Sequence, residues 1–234
     1  MRRSSQNHHP VDLAGVLVLA FLAATVMALL LLGAIEYAYR RLGIGEGALL
    51  TLLWLSLFGG LVNVPLVRLA GRARPGIDEI VIFGVRYRLP TLRRDTPTVL
   101  AVNVGGALIP TGLSAYLVIK DDIWWQALIG VLVVASVVHA AARPVADVGI
   151  VVPGLVSPVL AAGSALIVAP TATATATAAV AYAAGSLGTL IGGDLLNLRR
   201  LRDLGGGVVS IGGAGTFDGV FLSGIMAVVL VGIT

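Results

Sequence analysis

Long apolar stretches dominate this chain and restrict the folds that are open to it. They lie near residues 11–35, 47–67, 98–119, 123–142, 154–169, 172–196 and 208–234. A spanning helix needs about 20 predominantly apolar residues. Only 12% of the residues are charged and the mean hydropathy is +0.97, far from the composition of soluble domains. The sequence therefore predicts an all-α integral membrane protein with about seven transmembrane helices.

The 234 residues leave no room for a separate soluble domain beside these helices. We therefore predict a single polytopic membrane domain over residues 1–234, in contact with the lipid bilayer. The chain contains no cysteine, which excludes disulfides, thiolate metal ligands and a cysteine nucleophile. We expect no metal site, because the three histidines have no third ligand at a suitable spacing. No motif indicates a cofactor.

One segment, residues 69–97, carries six arginines and departs from membrane composition. Within it, Val85, Tyr87 and Leu89 alternate with arginines, which is the period-two pattern of a strand. We predict a short cytoplasmic β-hairpin there, with a basic face suited to anionic lipid head groups. Nucleic acid is not an expected partner, because the topology of the chain accounts for the positive charge.

The distribution of basic residues predicts the orientation of the helices. If they alternate in direction, thirteen of the sixteen Lys and Arg residues share one side with the N-terminus. The other side holds Arg40, Arg41 and Lys120. Cytoplasmic loops carry an excess of Lys and Arg. We therefore place the N-terminus in the cytoplasm and the C-terminus outside.

Two aspartates lie within apolar, glycine-rich stretches: Asp194 in TLIGGDLLNL and Asp218 in GGAGTFDGVFLSG. An ionisable residue inside a membrane segment is a functional-site hypothesis by default. Asp194 precedes Arg199 by five residues, which puts it about 7 to 8 Å inside the predicted cytoplasmic interface. The depth of Asp218 depends on where the last helix begins.

If that helix began directly after Arg202, Asp218 would lie about 24 Å deep and the two carboxyl groups could not meet. If the glycine-rich stretch before Thr216 is extended or re-entrant, the helix runs over residues 217–234. Asp218 then lies in its first turn, at a depth similar to that of Asp194, where the helix N-terminus favours an anion. The glycine content favours this second arrangement.

Other interruptions of the apolar segments suggest a polar site near the cytoplasmic face. The candidate substrate- or ion-binding residues are Asp194, Asp218, Asn103, Pro110, Gly213, Gly215 and Thr216. Unwound backbone at membrane depth is tolerated where protein or a water-filled cavity satisfies its polar groups. We therefore expect the interrupted segments to pack around one another, although close helix packing through small residues also explains such glycines.

A weak internal repeat relates two of the interrupted segments. The stretches that begin at Leu92 and Leu198 each pass through an aspartate to the pattern V-x-[VI]-G-G-A and then a glycine. Membrane carriers are often built from such repeats. Both stretches enter from the predicted cytoplasmic side, so a duplication would be parallel rather than inverted. Convergent composition is the alternative.

One aspartate lies at the end of the predicted sixth helix, and a second lies at the start of the seventh, after a glycine-rich stretch. This arrangement resembles the presenilin and signal-peptide-peptidase group of intramembrane aspartyl proteases. That group has Gly-x-Gly-Asp in the seventh helix, where this chain has Gly213-Ala214-Gly215-Thr216-Phe217-Asp218. The family's Tyr-Asp pair is Gly193-Asp194 here, and its Pro-Ala-Leu motif is absent. The resemblance implies that Asp194 and Asp218 would be the catalytic pair.

The phrases IGGAGTFDGVFLSGI and RPVADVGIVVPG resemble a prokaryotic integral-membrane family of unknown function. This resemblance implies a multi-pass protein of the inner (cytoplasmic) membrane and carries no activity.

Three functions fit the sequence. The first is an ion- or proton-coupled carrier of an unknown small solute, which uses the parallel repeat and the interrupted segments. The second is an intramembrane aspartyl protease acting on transmembrane peptides, in which the two aspartates share a proton. The third is a non-catalytic scaffold in which both aspartates cap glycine-rich turns. The carrier explains the most of the chain, and whether the protein is an enzyme stays open.

Overall fold

A computed structural model describes residues 13–69, 73–82, 85–94, 98–145, 149–198, 207–213 and 217–234. Within these ranges the chain forms seven α-helices and seven strands. The helices are α1 Leu13–Arg41, α2 Glu46–Gly59, α3 Ile109–Lys120, α4 Trp124–Ala141, α5 Val156–Val168, α6 Ala174–Thr189 and α7 Phe217–Gly232. The strands are β1 Asn63–Leu69, β2 Ala73–Ile82, β3 Val85–Arg94, β4 Thr98–Asn103, β5 Arg143–Val145, β6 Gly149–Val151 and β7 Gly207–Ile211.

Three of the helical segments are long and apolar enough to cross a membrane: Ala20–Arg41, Trp124–Ala141 and Ala174–Asn197. Four further apolar helices have only 10–17 residues: Gly47–Gly59, Val104–Lys120, Val156–Val168 and Gly219–Gly232. A span needs about 17 to 25 residues when it is wholly helical. The structure is therefore compatible with a membrane protein, and the predicted number of seven spans is not confirmed.

The prediction of an all-α fold is confirmed in part, because most of the described residues are helical, but it was wrong for the second, third and seventh apolar stretches. Each contains a strand, and these strands form one sheet in the order β1-β4-β7. β1 is antiparallel to β4, and β4 is parallel to β7. The strand sequences are rich in valine, as in TVLAVN and GVVSI. Short apolar runs of this kind are compatible with both strand and helix, and β-branched residues next to glycine favour the strand.

The hairpin predicted in the arginine-rich segment is present and longer than expected. β2 and β3 pair antiparallel over ten residues each, from Ala73↔Arg94 to Ile82↔Val85. Tyr87 pairs with Ile80, and the neighbouring Arg86 pairs with Val81. The alternating apolar and basic residues of the sequence pattern therefore lie within the strand β3. A second, shorter hairpin joins β5 to β6.

Helix α6 is the centre of the bundle and contacts α3, α4, α5 and α7. Most of its residues are buried, including Ala176, Thr177, Ala178 and Ala179. Small residues let the neighbouring backbones approach closely: a Cβ atom at Gly185 would lie 2.8 Å from the carbonyl oxygen of Ser223, and one at Gly130 would lie 2.9 Å from Ala184. The second half of the run therefore serves close helix packing, whereas Thr171, Thr173 and Ala174 in its first half are exposed.

The three basic residues on the predicted outer side all have partners. Arg40 forms a salt bridge of 2.9 Å with Glu36. Lys120 donates to the carbonyl oxygen of Leu42 at 2.8 Å, which caps the turn after α1. A Cβ atom at Gly43, in that turn, would lie 3.5 Å from Thr175 at the start of α6. These groups therefore lie at the N-terminal end of α6.

Arg41 joins the end of α1 to the end of α7. Its Nη2 donates to the carbonyl oxygen of Gly232 at 2.7 Å, and its Nε donates to the hydroxyl of Tyr37 at 3.0 Å. The Tyr37 hydroxyl donates to the same Gly232 oxygen at 3.0 Å. A cation at a helix C-terminus also interacts favourably with the helix dipole. Arg41 therefore satisfies a terminal carbonyl and anchors α1 to the bundle.

We expect the variant Arg41→Gln to lower the free energy of unfolding by about 1.5–3 kcal/mol, the range for hydrogen bonds to charged groups. The matched variant Arg40→Gln loses an exposed i,i+4 ion pair, which is worth about 0–1 kcal/mol. Unfolding of the purified protein in detergent, followed by circular dichroism, measures both. Equal destabilisation by the two variants would contradict the assignment of Arg41 as the anchor.

Candidate functional site

Two strand–turn–helix units lie side by side at one edge of the sheet. β4 and β7 are parallel and in register from Thr98↔Gly207 to Val102↔Ile211, so both end at the same edge. A Gly-Gly pair follows each strand, at residues 105–106 and 212–213, and a helix follows each pair, α3 and α7. The two repeat copies thus run in the same direction, as predicted for a parallel repeat.

The pairing register differs from the sequence alignment of the two copies. Val102 aligns with Val209 in the repeated pattern, whereas in the sheet it pairs with Ile211. The copies are therefore displaced by two residues along the strands. That they arose by duplication stays a prediction.

A third Gly-Gly pair, at residues 192–193, reaches the same junction from α6. After Thr189 the helix widens into a π-helical turn, Leu190–Asp194, and then tightens into a 3₁₀ turn, Leu195–Asn197. The segment between β4 and α3 contains a second π-helical turn, Val104–Leu108. Single π turns within helices are rare and are often found at functional sites. Asp194 is the last residue of the α6 turn.

Asp194 is buried, with 2% of its surface exposed. Its Oδ2 accepts a hydrogen bond of 2.7 Å from the backbone N–H of Gly212. Gly212 has φ +68, a conformation that favours glycine, and a Cβ atom there would lie 2.6 Å from the carbonyl carbon of Gly106. The carboxylate therefore joins the end of α6 to the turn between β7 and α7.

Asn103 caps the glycine turn of the β4–α3 unit, as Asp194 caps the turn of the β7–α7 unit. Its Oδ1 accepts from the backbone N–H of Gly106 at 2.8 Å, and its Nδ2 donates to the carbonyl oxygen of Gly60 at 2.7 Å. Nδ2 also donates to Oδ1 of Asn63 at 3.1 Å, which in turn accepts from the hydroxyl of Ser210. Asn103 is 1% exposed. These bonds connect α2, β1, β4 and β7.

Asn197 is a site residue that the sequence interpretation missed. It is fully buried, and its Nδ2 donates to the carbonyl oxygens of Gly192 at 2.8 Å and Gly193 at 3.0 Å. Its Oδ1 has no hydrogen-bond partner among the residues that the structure describes. The available signal was an amide residue three positions after Asp194 in an otherwise apolar segment.

The late start of the last helix is confirmed, because β7 precedes it and α7 begins at Phe217. Asp218 therefore lies in the first turn of α7, as predicted. Its side chain, like Gly215 and Thr216, lies outside the described residues. The predicted approach of the Asp194 and Asp218 carboxyl groups stays a prediction.

The remaining predicted site residues support the backbone of the junction. Gly213 is buried, and its N–H donates to the carbonyl oxygen of Ser210 at 3.2 Å, which closes the turn after β7. Pro110 is buried at the start of α3, directly after the π-helical turn Val104–Leu108, and it has no N–H to donate to that preceding turn. Over the described residues, no three His, Asp or Glu side chains cluster in a way that could hold a metal ion.

A methyl group at Gly105 would overlap the carbonyl oxygen of Ser56 and the amide nitrogen of Gly60. We expect Gly105→Ala to lower the free energy of unfolding by about 1–3 kcal/mol, the usual cost of overpacking. Gly112 is the matched control in α3, because a Cβ atom there meets no atom within 4 Å. Gly112→Ala should leave the thermal unfolding temperature unchanged or raise it. The same loss in both variants would show that the junction is not tightly packed.

Comparison with known proteins places the chain in a family without assigning an activity. The family model described as "Protein of unknown function (DUF1614)" matches residues 57–230, which include Asn103, Asp194 and Asp218. No curated protein and no solved structure matches the chain. The expected membership of a family of unknown function is confirmed, whereas the presenilin-type resemblance and the prokaryotic origin were not found and stay predictions. The match covers most of the chain, which therefore belongs to the DUF1614 family of proteins of unknown function.

Proposed function

We propose that this protein is an ion- or proton-coupled membrane carrier of a small solute, in which the Asp194 carboxyl group binds the coupling proton or cation. The observation that supports the proposal is the burial of this carboxylate where the glycine-interrupted segments of α6, β4–α3 and β7–α7 meet. Discontinuous segments with unwound backbone form the substrate and ion sites of many carriers.

Asn103 shows why a purely structural role is an incomplete account of Asp194. Its neutral amide oxygen caps the glycine turn at Gly106, just as Asp194 caps the turn at Gly212. A neutral side chain is therefore sufficient to satisfy such a turn in this fold. A buried carboxylate adds a considerable desolvation cost. The scaffold hypothesis requires only an oxygen that caps the turn, whereas a titratable or cation-binding role requires the carboxyl group.

Proton binding at Asp194 would change the strength of the junction. A hydrogen bond from an N–H group to an ionised carboxylate is roughly twice as strong as one between neutral groups. Protonation therefore weakens the contact between Asp194 and Gly212, the link between α6 and the turn before α7. Coupling in the proposed carrier consists of this change: a proton loosens the junction and its release tightens it.

In the cation-coupled form of this proposal, Oδ1 of Asn197 is the candidate second oxygen ligand. The Asn197 side chain folds back against the carbonyl oxygens of Gly192 and Gly193, the residues directly before Asp194. Its buried Oδ1 has no donor within the described ranges. Hard cations prefer carboxylate and carbonyl oxygens. This arrangement therefore suits sodium as well as a proton, and the experiment distinguishes the two.

We expect Asp194→Asn to abolish coupled transport while preserving the fold, because Asn keeps an oxygen that can cap Gly212, as Asn103 does for Gly106. Proteoliposomes carrying a pH-sensitive dye are tested with a panel of amino acids, carboxylates, sugars and phosphate, with sodium or choline outside. At least one solute should drive proton flux or depend on sodium in the unmodified protein.

The control is Asp122→Asn, which changes an exposed aspartate with φ 50 in the turn after α3, a conformation that Asn tolerates. It should transport like the unmodified protein. Coupled flux that survives in Asp194→Asn would refute the role of the carboxyl group. A complete absence of flux and of pH- or sodium-dependent stabilisation in the unmodified protein would count against the carrier.

A second candidate function, an intramembrane aspartyl protease, is favoured by the start of α7 at Phe217. This start puts Asp218 in the first helical turn, a few residues after the Gly212 turn that contacts Asp194. Two carboxyl groups that share a proton have separated pKa values, so that one activates water and the other polarises a peptide carbonyl. The mechanism requires both residues.

The protease predicts that transmembrane peptides are cleaved by the unmodified protein and by Asp122→Asn, and that Asp194→Asn and Asp218→Asn each abolish cleavage. Mass spectrometry of peptides in mixed micelles provides the measurement. Cleavage that is undiminished in either aspartate variant would eliminate this candidate.

A further inference from the structure

A groove of about 330 Å³ lies between α1 and α2. Five aliphatic side chains line it: Leu32, Ile35, Leu49, Leu50 and Leu53. The remaining lining residues are Glu36 and Arg40, in the last turns of α1. The groove lies beside the Gly43 turn, which approaches Thr175. Thr175 and Asp194 are separated by about 28 Å of helix, so the groove is far from the carboxylate site.

The two charged residues give the groove a polar end. Their salt bridge of 2.9 Å is half exposed, with 56% of the Arg40 side chain and 54% of the Glu36 side chain accessible. Charged side chains near the ends of membrane helices extend to the head-group level. Among the described residues that line it, the groove therefore presents one cation and one anion at its interfacial end and aliphatic side chains below.

We propose that this groove binds a zwitterionic phospholipid with a primary amine, a phosphatidylethanolamine. Its ammonium group pairs with Glu36, its phosphate with Arg40, and an acyl chain lies along the five aliphatic side chains. A planar guanidinium matches phosphate geometry, and a primary ammonium donates hydrogen bonds to a carboxylate. An anionic lipid would bring uncompensated negative charge next to Glu36.

The size of the groove distinguishes a lipid chain from a protein partner. A volume of about 330 Å³ is at the lower end of the range for small-ligand sites, about 300–1,000 Å³. One turn of a helix about 10 Å across and 5.4 Å long occupies about 420 Å³, which is more than the groove provides. The volume therefore suits an acyl chain better than a helix.

Native mass spectrometry of the delipidated full chain, with equal amounts of dioleoyl-phosphatidylethanolamine and dioleoyl-phosphatidylglycerol, tests the proposal. We expect at least fivefold more ethanolamine lipid bound. Leu50→Trp places a large ring in the groove and should reduce this binding at least fivefold. Leu55→Trp is the matched control, since Leu55 is 52% exposed on the same helix, compared with 55% for Leu50, and does not line the groove.

The charge variant Glu36→Gln provides a measurement that does not depend on the shape of the groove. It removes the negative charge of Glu36 and keeps the positive charge of Arg40, so the preference should reverse in favour of the anionic glycerol lipid. Circular dichroism of each variant verifies the fold. Equal binding of the two lipids by the unmodified protein would overturn the proposal, as would equal losses in the two tryptophan variants or an unchanged preference in Glu36→Gln.

Discussion

The hydrogen bond between Asp194 and the N–H of Gly212 is the contact that holds the candidate site together. Glycine turns interrupt apolar segments here, and each interruption leaves backbone groups that have no helical partner. Polar side chains on neighbouring segments satisfy them. Asn103 accepts from Gly106, Asp194 accepts from Gly212, and Asn197 donates to Gly192 and Gly193. The buried amide and carboxylate side chains of the described residues, Asn103, Asp194 and Asn197, therefore occur where the helices are broken.

Close packing of glycine is the second requirement for this arrangement. A Cβ atom at Gly192 would lie 2.9 Å from the Cα of Ala135 on α4, and one at Gly212 would lie 2.6 Å from Gly106. The sheet edge, the two π-helical turns and α4 can meet only because these positions have no side chain. The same glycines thus allow close contact between the segments and lie where backbone groups need polar side chains as hydrogen-bond partners. This shared dependence explains why glycine pairs mark all three interruptions.

The comparison of Asn103 with Asp194 bears most directly on function. Both side chains are buried and both cap a glycine turn through one oxygen. They differ in charge, and an ionised group in an apolar bundle carries a cost that an amide does not. The proposed carrier uses this difference, because Asp194 can take up and release a proton and Asn103 cannot. The lipid groove between α1 and α2 is separate from this question, because it lies at the other end of α6.

Sequence patterns were most informative where periodicity or composition was strong. The apolar stretches predicted the helices, the alternation around Tyr87 predicted the hairpin, and the glycine content before Phe217 predicted the late start of α7. The strands β1, β4 and β7 were harder to predict. Short valine-rich runs fit a helix or a strand equally well until a pairing partner is known, and the partners of β4 lie about 35 and 109 residues away along the chain.

The sequence alone determined that the chain consists of apolar segments, that glycines interrupt them at defined points, and that an aspartate lies next to one interruption. These properties depend only on composition and on the order of neighbouring residues. Only the tertiary structure decided which turn the Asp194 carboxylate satisfies, that Asn103 and Asn63 join one network, and that Asn197 donates to the carbonyl oxygens of Gly192 and Gly193. Hydrogen-bond partners between segments depend on strand register and on glycine contacts that form only when distant parts of the chain pack together.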